Sequence, residues 1–519
     1  MRDWPTVPAR HETQRGDVRG TRVPSDAVTE PDGRIDPADL ATTLRVLGML
    51  HQVPEDHPDL VAVQHASGRL HKLIRKQRRS AAKRAARAPL LAHDQAVLDA
   101  TATGNPQRID DETRGIPLTS SAPGAIAGEL RISRGCYICH AKYTTVDAFY
   151  HWLCPDCAAS SHAKRDQGTD LTGRRALLTG GRAKIGMYIA LRLLRDGADL
   201  TITTRFPKDA ARRFAELSDS PEWLDRLTVV GIDLRDPTQV VALADEVAAR
   251  GPLDILINNA CQTVRRSPGA YAHLVMGERT PLAAGPTPRM ITFDRVSEAH
   301  PAALAGTLRS GEYPHALDAT TLDVAALALS AGSASLAAHR AGTAVDAGGL
   351  LPDRATTNSW TALVDEVDAL EMLEVQLCNQ IAPFLLVSRL RPSMRAAVQR
   401  GARRAYVVNV SAMEGQFSRR YKGPGHPHTN MAKAALNMLT RTSASEMFST
   451  DRILMTAVDT GWITDERPHQ TKLDIAAEGW HAPLDLVDGA ARVYDPIVRG
   501  EAGEDLYGVF LKDYAPHPW

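Results

Sequence analysis

The sequence has few aromatic residues, no net charge and no long uninterrupted apolar run. Phe, Trp and Tyr make up 5% of its 519 residues, and 61 Lys and Arg balance 61 Asp and Glu. A formal charge of zero provides no overall field that would favour nucleic acid or a membrane surface. The apolar stretch 324–338 is interrupted by Ser and Gly, and residues 1–5 lack the apolar core of a secretory signal. We therefore expect no membrane span and a cytoplasmic protein.

Cysteine is also scarce, and four of the six cysteines are clustered. Cys136 and Cys139 form a first C-x-x-C knuckle, and Cys154 and Cys157 form a second. Two such knuckles let two loops offer four thiolates to one tetrahedral ion. The pattern predicts a structural zinc site with no open position for catalysis. A redox pair, a rubredoxin-like iron site and unliganded cysteines are the alternatives.

Composition changes along the chain predict four segments. Residues 1–35 are polar and rich in Pro, Arg and Asp, which predicts a disordered tail. Residues 36–128 are predicted to form a helical basic region and a linker. The four-cysteine module is predicted at 129–168, and a larger α/β domain at 169–519.

One predicted helix of the second segment, at 61–87, is densely basic in its latter half. Residues 69–87 carry only a narrow apolar stripe, made by Leu70, Leu73 and Ile74. The plain interpretation is a solvated face packed on a neighbouring helix. The alternative is contact with an acidic protein, RNA or DNA. No aromatic residue is interleaved with the cations, so the pattern adds no support for nucleic acid over a protein partner.

From residue 169 onward, apolar strands alternate with amphipathic helices, which predicts a doubly wound parallel sheet. Strands are predicted at 175–179, 199–204, 227–233, 253–258, 405–410, 453–458 and 506–511. Helices are predicted at 185–196, 208–217, 237–250, 360–391 and 432–446. The alternation breaks at about 262–357, an insertion rich in Ala, Gly and Pro. At the carboxyl edge of the sheet it would cover the substrate pocket, form a subunit contact or be a tolerated surface excursion.

The first strand of this domain runs into a glycine-bearing turn and then into a helix. The turn reads Thr179-Gly180-Gly181-Arg182-Ala183-Lys184-Ile185-Gly186. Bare backbone N–H groups at a helix N-terminus suit a dinucleotide pyrophosphate. Arg205 follows the second strand, where an acidic side chain would bind the ribose of NAD and a guanidinium suits a 2′-phosphate. Since Arg182, Lys184 and Lys208 add positive charge, NADP is favoured over NAD.

Further residues follow this turn in a recognisable order. They are Asp233 and Leu234 after the third strand, Asn258-Asn259-Ala260-Cys261 after the fourth, Asn379 in a helix, Ser411 after the fifth strand, Lys433 in a later helix and Ile463 after the sixth strand. Together with the turn they resemble the short-chain dehydrogenase/reductase family over residues 171–519, less the insertion. The resemblance implies a Rossmann-like fold, NADP(H) as cofactor and hydride exchange with a carbonyl or alcohol substrate.

The resemblance also implies a role for each position. Ser411 would polarise the substrate carbonyl, Lys433 would hold the nicotinamide ribose and tune a tyrosine donor, and Asn379 would support a water relay to Lys433. The implied cofactor-binding residues are Thr179, Gly180, Arg182, Lys184, Ile185, Gly186, Arg205, Asp233, Leu234, Asn259, Ala260, Lys433 and Ile463.

Three positions depart from the family pattern. Lys184 stands at the middle glycine of the turn, and Cys261 replaces the glycine after Asn-Asn-Ala. The third departure is the most serious, because Thr429 stands four residues before Lys433, where the family has its catalytic tyrosine. An aliphatic hydroxyl is too weak an acid to replace a phenol near neutral pH.

Three interpretations of the missing tyrosine stay open. Tyr421, the first candidate, would fold back over the following Gly-Pro-Gly because the interval between Ser411 and Lys433 is longer than the family's usual one. His426 or His428 would donate the proton, since imidazole titrates near neutral pH. In the third interpretation the domain is an inactive NADP-binding scaffold or sensor whose zinc and basic segments bind a protein or nucleic acid. The substrate and the oligomeric state stay open, although the family is often oligomeric.

Overall fold

A computed structural model describes residues 35–108, 124–293, 295–304, 346–353, 355–419 and 421–519. The predicted tail, except its last residue, and the apolar stretch 324–338 lie outside the described residues. The chain divides into two compact units, Met1–Arg87 and Ala88–Trp519.

The described part of the first unit is helical. Helix α1 (Pro37–Met49) begins after Asp36, whose carboxylate accepts the N–H groups of Ala38 and Asp39 and so caps the first turn. Helix α2 (Pro58–Asp99) is longer than predicted and continues into the second unit. The basic stretch 69–87 is exposed throughout.

The four-cysteine module follows α2 in the chain. Strands β1 (Ile126–Gly135) and β2 (Lys142–Asp147) pair antiparallel, and helix α3 (Pro155–Arg165) begins directly after Cys154. This small hairpin-and-helix arrangement brings the two knuckles together.

The last turns of α2 pack on this module. The Asp94 carboxylate accepts the backbone N–H groups of Arg131 and Ile132 at 2.6 and 3.0 Å. Thr101 and Arg108, which we expected in a linker, are buried. Part of the predicted linker is therefore packed structure, and residues 109–123 lie outside the described part of the chain.

A mostly parallel sheet of nine described strands forms the larger part of the second unit, which confirms the predicted α/β class. The strands are β3 (Arg175–Leu178), β4 (Asp199–Thr204), β5 (Leu227–Gly231), β6 (Ile255–Asn258), β7 (Arg289–Thr292), β8 (Ala405–Ser411), β9 (Ile453–Asp459), β10 (Phe510–Lys512) and β11 (Ala515–His517). Their order is β11-β10-β9-β8-β6-β3-β4-β5-β7, and only β11 pairs antiparallel. The order from β5 to β9 is that of a doubly wound Rossmann sheet, whose switch point lies between β3 and β6.

Helices cover both faces of the sheet. They are α4 (Lys184–Arg195), α5 (Pro207–Ala215), α6 (Pro237–Ala249), α7 (Ala272–Arg279), α8 (Ala369–Gln376), α9 (Ala382–Gln399), α10 (Pro427–Asp451), α11 (His469–Ala477) and α12 (Leu486–Glu501). Side chains of α4, α5 and α12 form one buried core with the sheet, and side chains of α6, α9 and α10 form the other. The carboxyl ends of the strands are thus held rigidly between two cores.

Several predicted boundaries of the α/β domain were wrong. The helix predicted from residue 360 begins at Ala369, because the Asp368 side chain caps the N–H of Glu371. Helix α10 begins at Pro427, a residue whose fixed φ suits a first helical position. The last predicted strand is shorter than expected, since β10 begins only at Phe510.

The insertion contributes a strand that the sequence pattern did not predict. Strand β7 pairs in parallel with β5 and extends the sheet at that edge. It is only four residues long and partly exposed, so it lacks the continuous apolar run of the central strands.

One helical stretch, Ala369–Gln399, is long and apolar enough to cross a membrane by length and composition. This differs from our expectation that no run would pass that test. More than half of its apolar window, 56%, is buried in the unit. Since α9 packs against α6 in the second core, the stretch has the environment of a core helix.

Candidate functional site

The glycine turn lies at the carboxyl end of β3, beside the switch point. Gly180 has a φ of 69°, in the left-handed region that glycine adopts freely. A Cβ built on Gly186 would lie 2.0 Å from the carbonyl oxygen of Gly180, so the first turn of α4 closes directly on the loop. The Thr179 hydroxyl accepts the N–H groups of Asn259 and Ala260, both at 3.0 Å. These contacts tie the turn to the end of β6.

A cleft of about 400 Å³ opens at the carboxyl ends of the central strands. Its lining includes the predicted cofactor residues Gly180, Arg182, Lys184, Ile185, Gly186, Arg205, Asp233, Leu234, Asn259 and Ala260. Thr464 and Glu466, from the loop after β9, also line it. The other predicted cofactor residues, Thr179, Lys433 and Ile463, are buried and are not among the described lining residues.

Two of the cations expected at the phosphates have carboxylate partners. The Lys184 ammonium lies 3.2 Å from a carboxylate oxygen of Asp346, which belongs to the insertion. The Arg182 guanidinium lies 2.5 Å from a carboxylate oxygen of Asp209. Lys184 has a positive φ of 52°, so it keeps the left-handed backbone that a glycine would supply at this place.

Arg205 differs from these two cations. Its guanidinium lies over the rings of Phe206 and Tyr271, with 5.7 and 5.0 Å to their centroids. No carboxylate within ion-pair distance is found for it in the described part of the chain. Unlike Arg182 and Lys184, Arg205 therefore has a charge that is not already balanced by a carboxylate of the described residues.

Asp233, at the end of β5, is held as an anion. Its carboxylate accepts hydrogen bonds from the Arg235 guanidinium at 2.6 Å and from His300 Nε2 at 3.2 Å. Burial opposes ionisation of Asp233, but the hydrogen bonds from His300 and Arg235 outweigh it and lower the pKa of the carboxyl below its usual range.

Ser411 and Lys433 are buried at the carboxyl end of β8. The Ser411 hydroxyl donates to Asn437 Oδ1 at 2.5 Å, and the Lys433 ammonium donates to the Val410 carbonyl at 2.8 Å. Asn437 was not predicted as a site residue. Its spacing of one helical turn after Lys433 places both on the same face of α10 and is the signal that could have identified it.

Asn379 occupies a π-helical turn, Leu377–Ile381, between α8 and α9. Its side chain makes two bonds to the backbone of Gln262. Its Oδ1 accepts the Gln262 N–H, and its Nδ2 donates to the Gln262 carbonyl, both at 2.8 Å. Asn379 therefore fixes the segment that leaves β6, and π turns of this kind are frequent at functional sites.

Comparisons with known proteins identify the family of the chain. A family model described as short chain dehydrogenase matches residues 174–272. The uncharacterized protein R665 of Acanthamoeba polyphaga mimivirus is 30% identical over 70% of this chain and 71% of its own length. A probable oxidoreductase of Streptomyces antibioticus is 43% identical over 18% of this chain and 30% of its own length. The chain belongs to the short-chain dehydrogenase/reductase family.

Among solved structures, the NADPH-bound carbonyl reductase from chicken fatty liver is 19% identical, with a TM-score of 0.40 over 67% of this chain and 100% of its own.

As a short-chain dehydrogenase/reductase, the chain departs from its family four residues before the buried Lys433, at the position of the catalytic tyrosine. Thr429 lies at the family position in α10 and is buried, with its hydroxyl 3.5 Å from the Thr263 carbonyl. Tyr421 lies in the loop between β8 and α10, and its side chain is 68% exposed. The structure does not bring the Tyr421 phenol into the buried group.

The two histidines near Thr429 lie in different environments. His426 stacks on Trp360 with 4.0 Å between ring centroids, and its Nδ1 lies 2.9 Å from the Trp360 carbonyl. His428 is buried, at 2% exposure, and neither of its ring nitrogens has a hydrogen-bond partner in the described part of the chain. Burial and the neighbouring His426 lower the pKa of His428.

The four cysteines of the module, which are not part of the family's pattern, also meet in space. The sulfur atoms of Cys136, Cys139, Cys154 and Cys157 all lie within 4.8 Å of one another. The sulfurs of Cys139 and Cys154 are 3.6 Å apart. Zn–S bonds of about 2.3 Å in a tetrahedron require sulfurs about 3.8 Å apart, so this group could hold one zinc ion with a small adjustment.

Proposed function

We propose that the chain is an NADP(H)-dependent oxidoreductase acting at a carbonyl or alcohol carbon. The observation that carries the proposal is that the glycine turn follows β3 while the buried Ser411 and Lys433 lie at the end of β8. Both are at the carboxyl ends of the parallel strands, and only β6 separates β3 from β8. When bound, NADPH would supply the hydride. The residues that would hold it fit a dinucleotide, because Gly180 and Gly186 line the cleft at the start of α4 and have no side chains to fill it.

The buried polar side chains would divide the remaining tasks. The single Ser411 hydroxyl proton is donated to Asn437 Oδ1 in the structure, and it would turn to the substrate oxygen when substrate binds. An ammonium has three donors, so Lys433 keeps two for ribose hydroxyls after its bond to Val410. Asn379 would keep the Gln262 backbone, at the wall of the cleft, in position.

We further propose that His428 is the proton donor in place of the missing tyrosine. Its burial supports this role, as does the lack of a hydrogen-bond partner for either ring nitrogen among the described residues. The exposure of Tyr421 does not support our first candidate. Because the acid form of His428 has a lowered pKa, little imidazolium would be present at neutral pH. Carbonyl reduction would therefore be faster in mildly acidic solution.

His428→Gln is expected to remove this pH dependence. For the native chain, kcat for NADPH-dependent reduction of the best carbonyl substrate should rise about fivefold or more from about pH 7.5 to about pH 5.5. In His428→Gln the profile should be flat and kcat lower at every pH, because glutamine cannot deliver a proton in this range. Tyr421→Phe is the matched control and should keep both kcat and its profile. If His428→Gln kept the native kcat and pH profile and Tyr421→Phe lost activity, Tyr421 would be the proton donor.

Arg205→Ser is expected to weaken NADPH binding about 10-fold or more and to leave NADH binding within about twofold. The reason is that only NADPH has the 2′-phosphate that a guanidinium would meet. Titration calorimetry with both nucleotides measures the two affinities. Arg289→Ser, which removes an arginine whose side chain is 60% exposed, is the control. An equal loss for NADH and NADPH would contradict 2′-phosphate recognition by Arg205.

A second candidate function is favoured by the substitution of Thr429 for tyrosine. In this case the domain would bind NADP(H) without turnover, and the exposed basic stretch 69–87 would contact an acidic partner. Native chain that binds NADPH tightly, yet consumes none with a broad panel of ketones, aldehydes and quinones, would support the scaffold over the enzyme.

For the four-cysteine module, we propose one structural zinc ion. The support is the mutual approach of the four sulfurs within 4.8 Å, on two knuckles that share a small buried core. With all four positions filled by thiolates, the ion would stabilise the module and take no part in hydride transfer.

A further inference from the structure

The four-cysteine module and the nucleotide domain share one buried core. Phe149 and Leu153 of the module pack in the same cluster as Ile463 and Leu486 of the domain. Ile185, from the glycine turn, packs against this cluster, and both Ile185 and Leu486 also line the cleft. The core of the module therefore supports one wall of the proposed cofactor site.

A hydrogen bond joins the first knuckle to the loop after β9, residues 460–466. The hydroxyl of Tyr137, which lies between Cys136 and Cys139, accepts the backbone N–H of Trp462 at 2.9 Å. On the other side, the Trp462 carbonyl accepts the N–H of Leu484 at 3.3 Å. The backbone of Trp462 is thus held on both sides.

Tyr137 is itself fixed by the module. Its ring is 7% exposed, and its own N–H donates to the Trp152 carbonyl at 2.9 Å. The 460–466 loop also provides Thr464 and Glu466 to the cleft. A displacement of Tyr137 would therefore move Trp462, which is only two residues from Thr464 in the wall of the cleft.

Buried ion pairs also connect the four-cysteine module to the nucleotide domain, at helices α3 and α12. The Arg165 guanidinium of α3 lies 2.6 Å from Asp485 and 3.1 Å from Asp488, and the Tyr150 hydroxyl donates to Asp488 at 2.6 Å. Asp485 caps the start of α12. Charges buried in this way are costly to separate, so the module cannot shift freely on the domain.

We propose that Tyr137 is a positioning residue for NADP(H) binding, through which the four-cysteine module sets the shape of the 460–466 loop. The inference rests on the proposed function, because it takes the cleft to be the cofactor site. In this view the metal-binding knuckle affects cofactor affinity without contacting the cofactor, through the bond from Trp462 to Tyr137.

Tyr137→Phe tests the proposal on the 519-residue chain purified in the presence of zinc. The variant removes one oxygen and leaves the Trp462 N–H without its partner, so the 460–466 loop should loosen. We expect NADPH to bind roughly 3- to 10-fold more weakly and the Trp462 amide to exchange its hydrogen at least about 10-fold faster. Zinc content should stay unchanged.

Tyr143→Phe is the matched control. Tyr143 lies in the same module at 6% exposure, but its hydroxyl donates to the His151 carbonyl at 3.1 Å, within the module. This variant should leave both NADPH affinity and Trp462 exchange within about twofold of native values.

Two results would overturn the proposal. One is faster Trp462 exchange in Tyr137→Phe with native NADPH affinity, because the loop would then not control the cleft. The other is equal losses in Tyr137→Phe and Tyr143→Phe, which would indicate general softening of the module. Native chain that binds no NADPH at all would refute the proposed function itself, and that result is obtained before any variant is compared.

Discussion

Gly186→Ala is expected to abolish measurable NADPH binding, with a loss of affinity of at least about 100-fold. The added Cβ would lie 2.0 Å from the Gly180 carbonyl oxygen and 2.9 Å from Asn259 Nδ2. The Asn259 amide donates to the carbonyls of Thr179 and Gly180 at 3.1 Å, so the methyl group intrudes on the contacts that shape the turn. Helix α4 would have to move away from the turn, and its N-terminal N–H groups would no longer converge on a phosphate.

Gly277→Ala is the control for this substitution. Gly277 is also helical, but a Cβ there would have its nearest contact 3.4 Å away, at the end of the Arg212 side chain. Calorimetry with NADPH should give native affinity for Gly277→Ala, and circular dichroism should verify that Gly186→Ala is folded. Folded Gly186→Ala with native affinity would show that the turn does not form the phosphate site.

The turn and the central strands could be predicted because their signals are local. A strand, a turn with glycines at fixed places and an amphipathic helix occupy one continuous stretch. Within that stretch, Gly180 is favoured by its positive φ and Gly186 by the close approach of the Gly180 carbonyl oxygen. The alternation of strands and helices then fixed the class of the sheet. The same logic predicted the approach of the four cysteines, since each C-x-x-C spacing places two sulfurs on one loop.

Contacts between distant segments could not be predicted. Asp346 pairs with Lys184 across more than 150 residues of chain, and no sequence pattern around either residue indicates this ion pair. Asn379, in the π turn, bonds to the backbone of Gln262, which lies in another part of the chain. Strand β7 is short and partly exposed, so only its pairing with β5 makes it a strand.

The position of Tyr421 illustrates a different limit. A long interval between Ser411 and Lys433 is compatible with a loop that folds inward and with one that extends outward. Which one forms depends on what fills the space beside Lys433. In the structure the start of α10 at Pro427 brings Thr429 and His428 into buried positions, and Tyr421 stays on the surface.

Replacement of Cys154 by serine is expected to reduce bound zinc from one ion per chain to near zero and to lower the melting temperature by about 5 °C or more. Cys154 precedes the first residue of α3, and Cys157 lies in its first turn. Without the metal, that end of α3 loses its connection to the first knuckle. The effect should extend beyond the module, because Arg165 at the other end of α3 pairs with Asp485.

Cys261→Ser provides the matched control, since Cys261 is exposed and lies outside the module. It should retain one zinc ion per chain and a native melting temperature. Metal analysis by mass spectrometry and thermal unfolding followed by circular dichroism measure the two quantities. Native chain purified without metal, with four readily alkylated thiols in the module and a melting temperature insensitive to chelator, would contradict a structural zinc site. The second knuckle would then be held by packing of the buried core that includes Phe149 and Leu153.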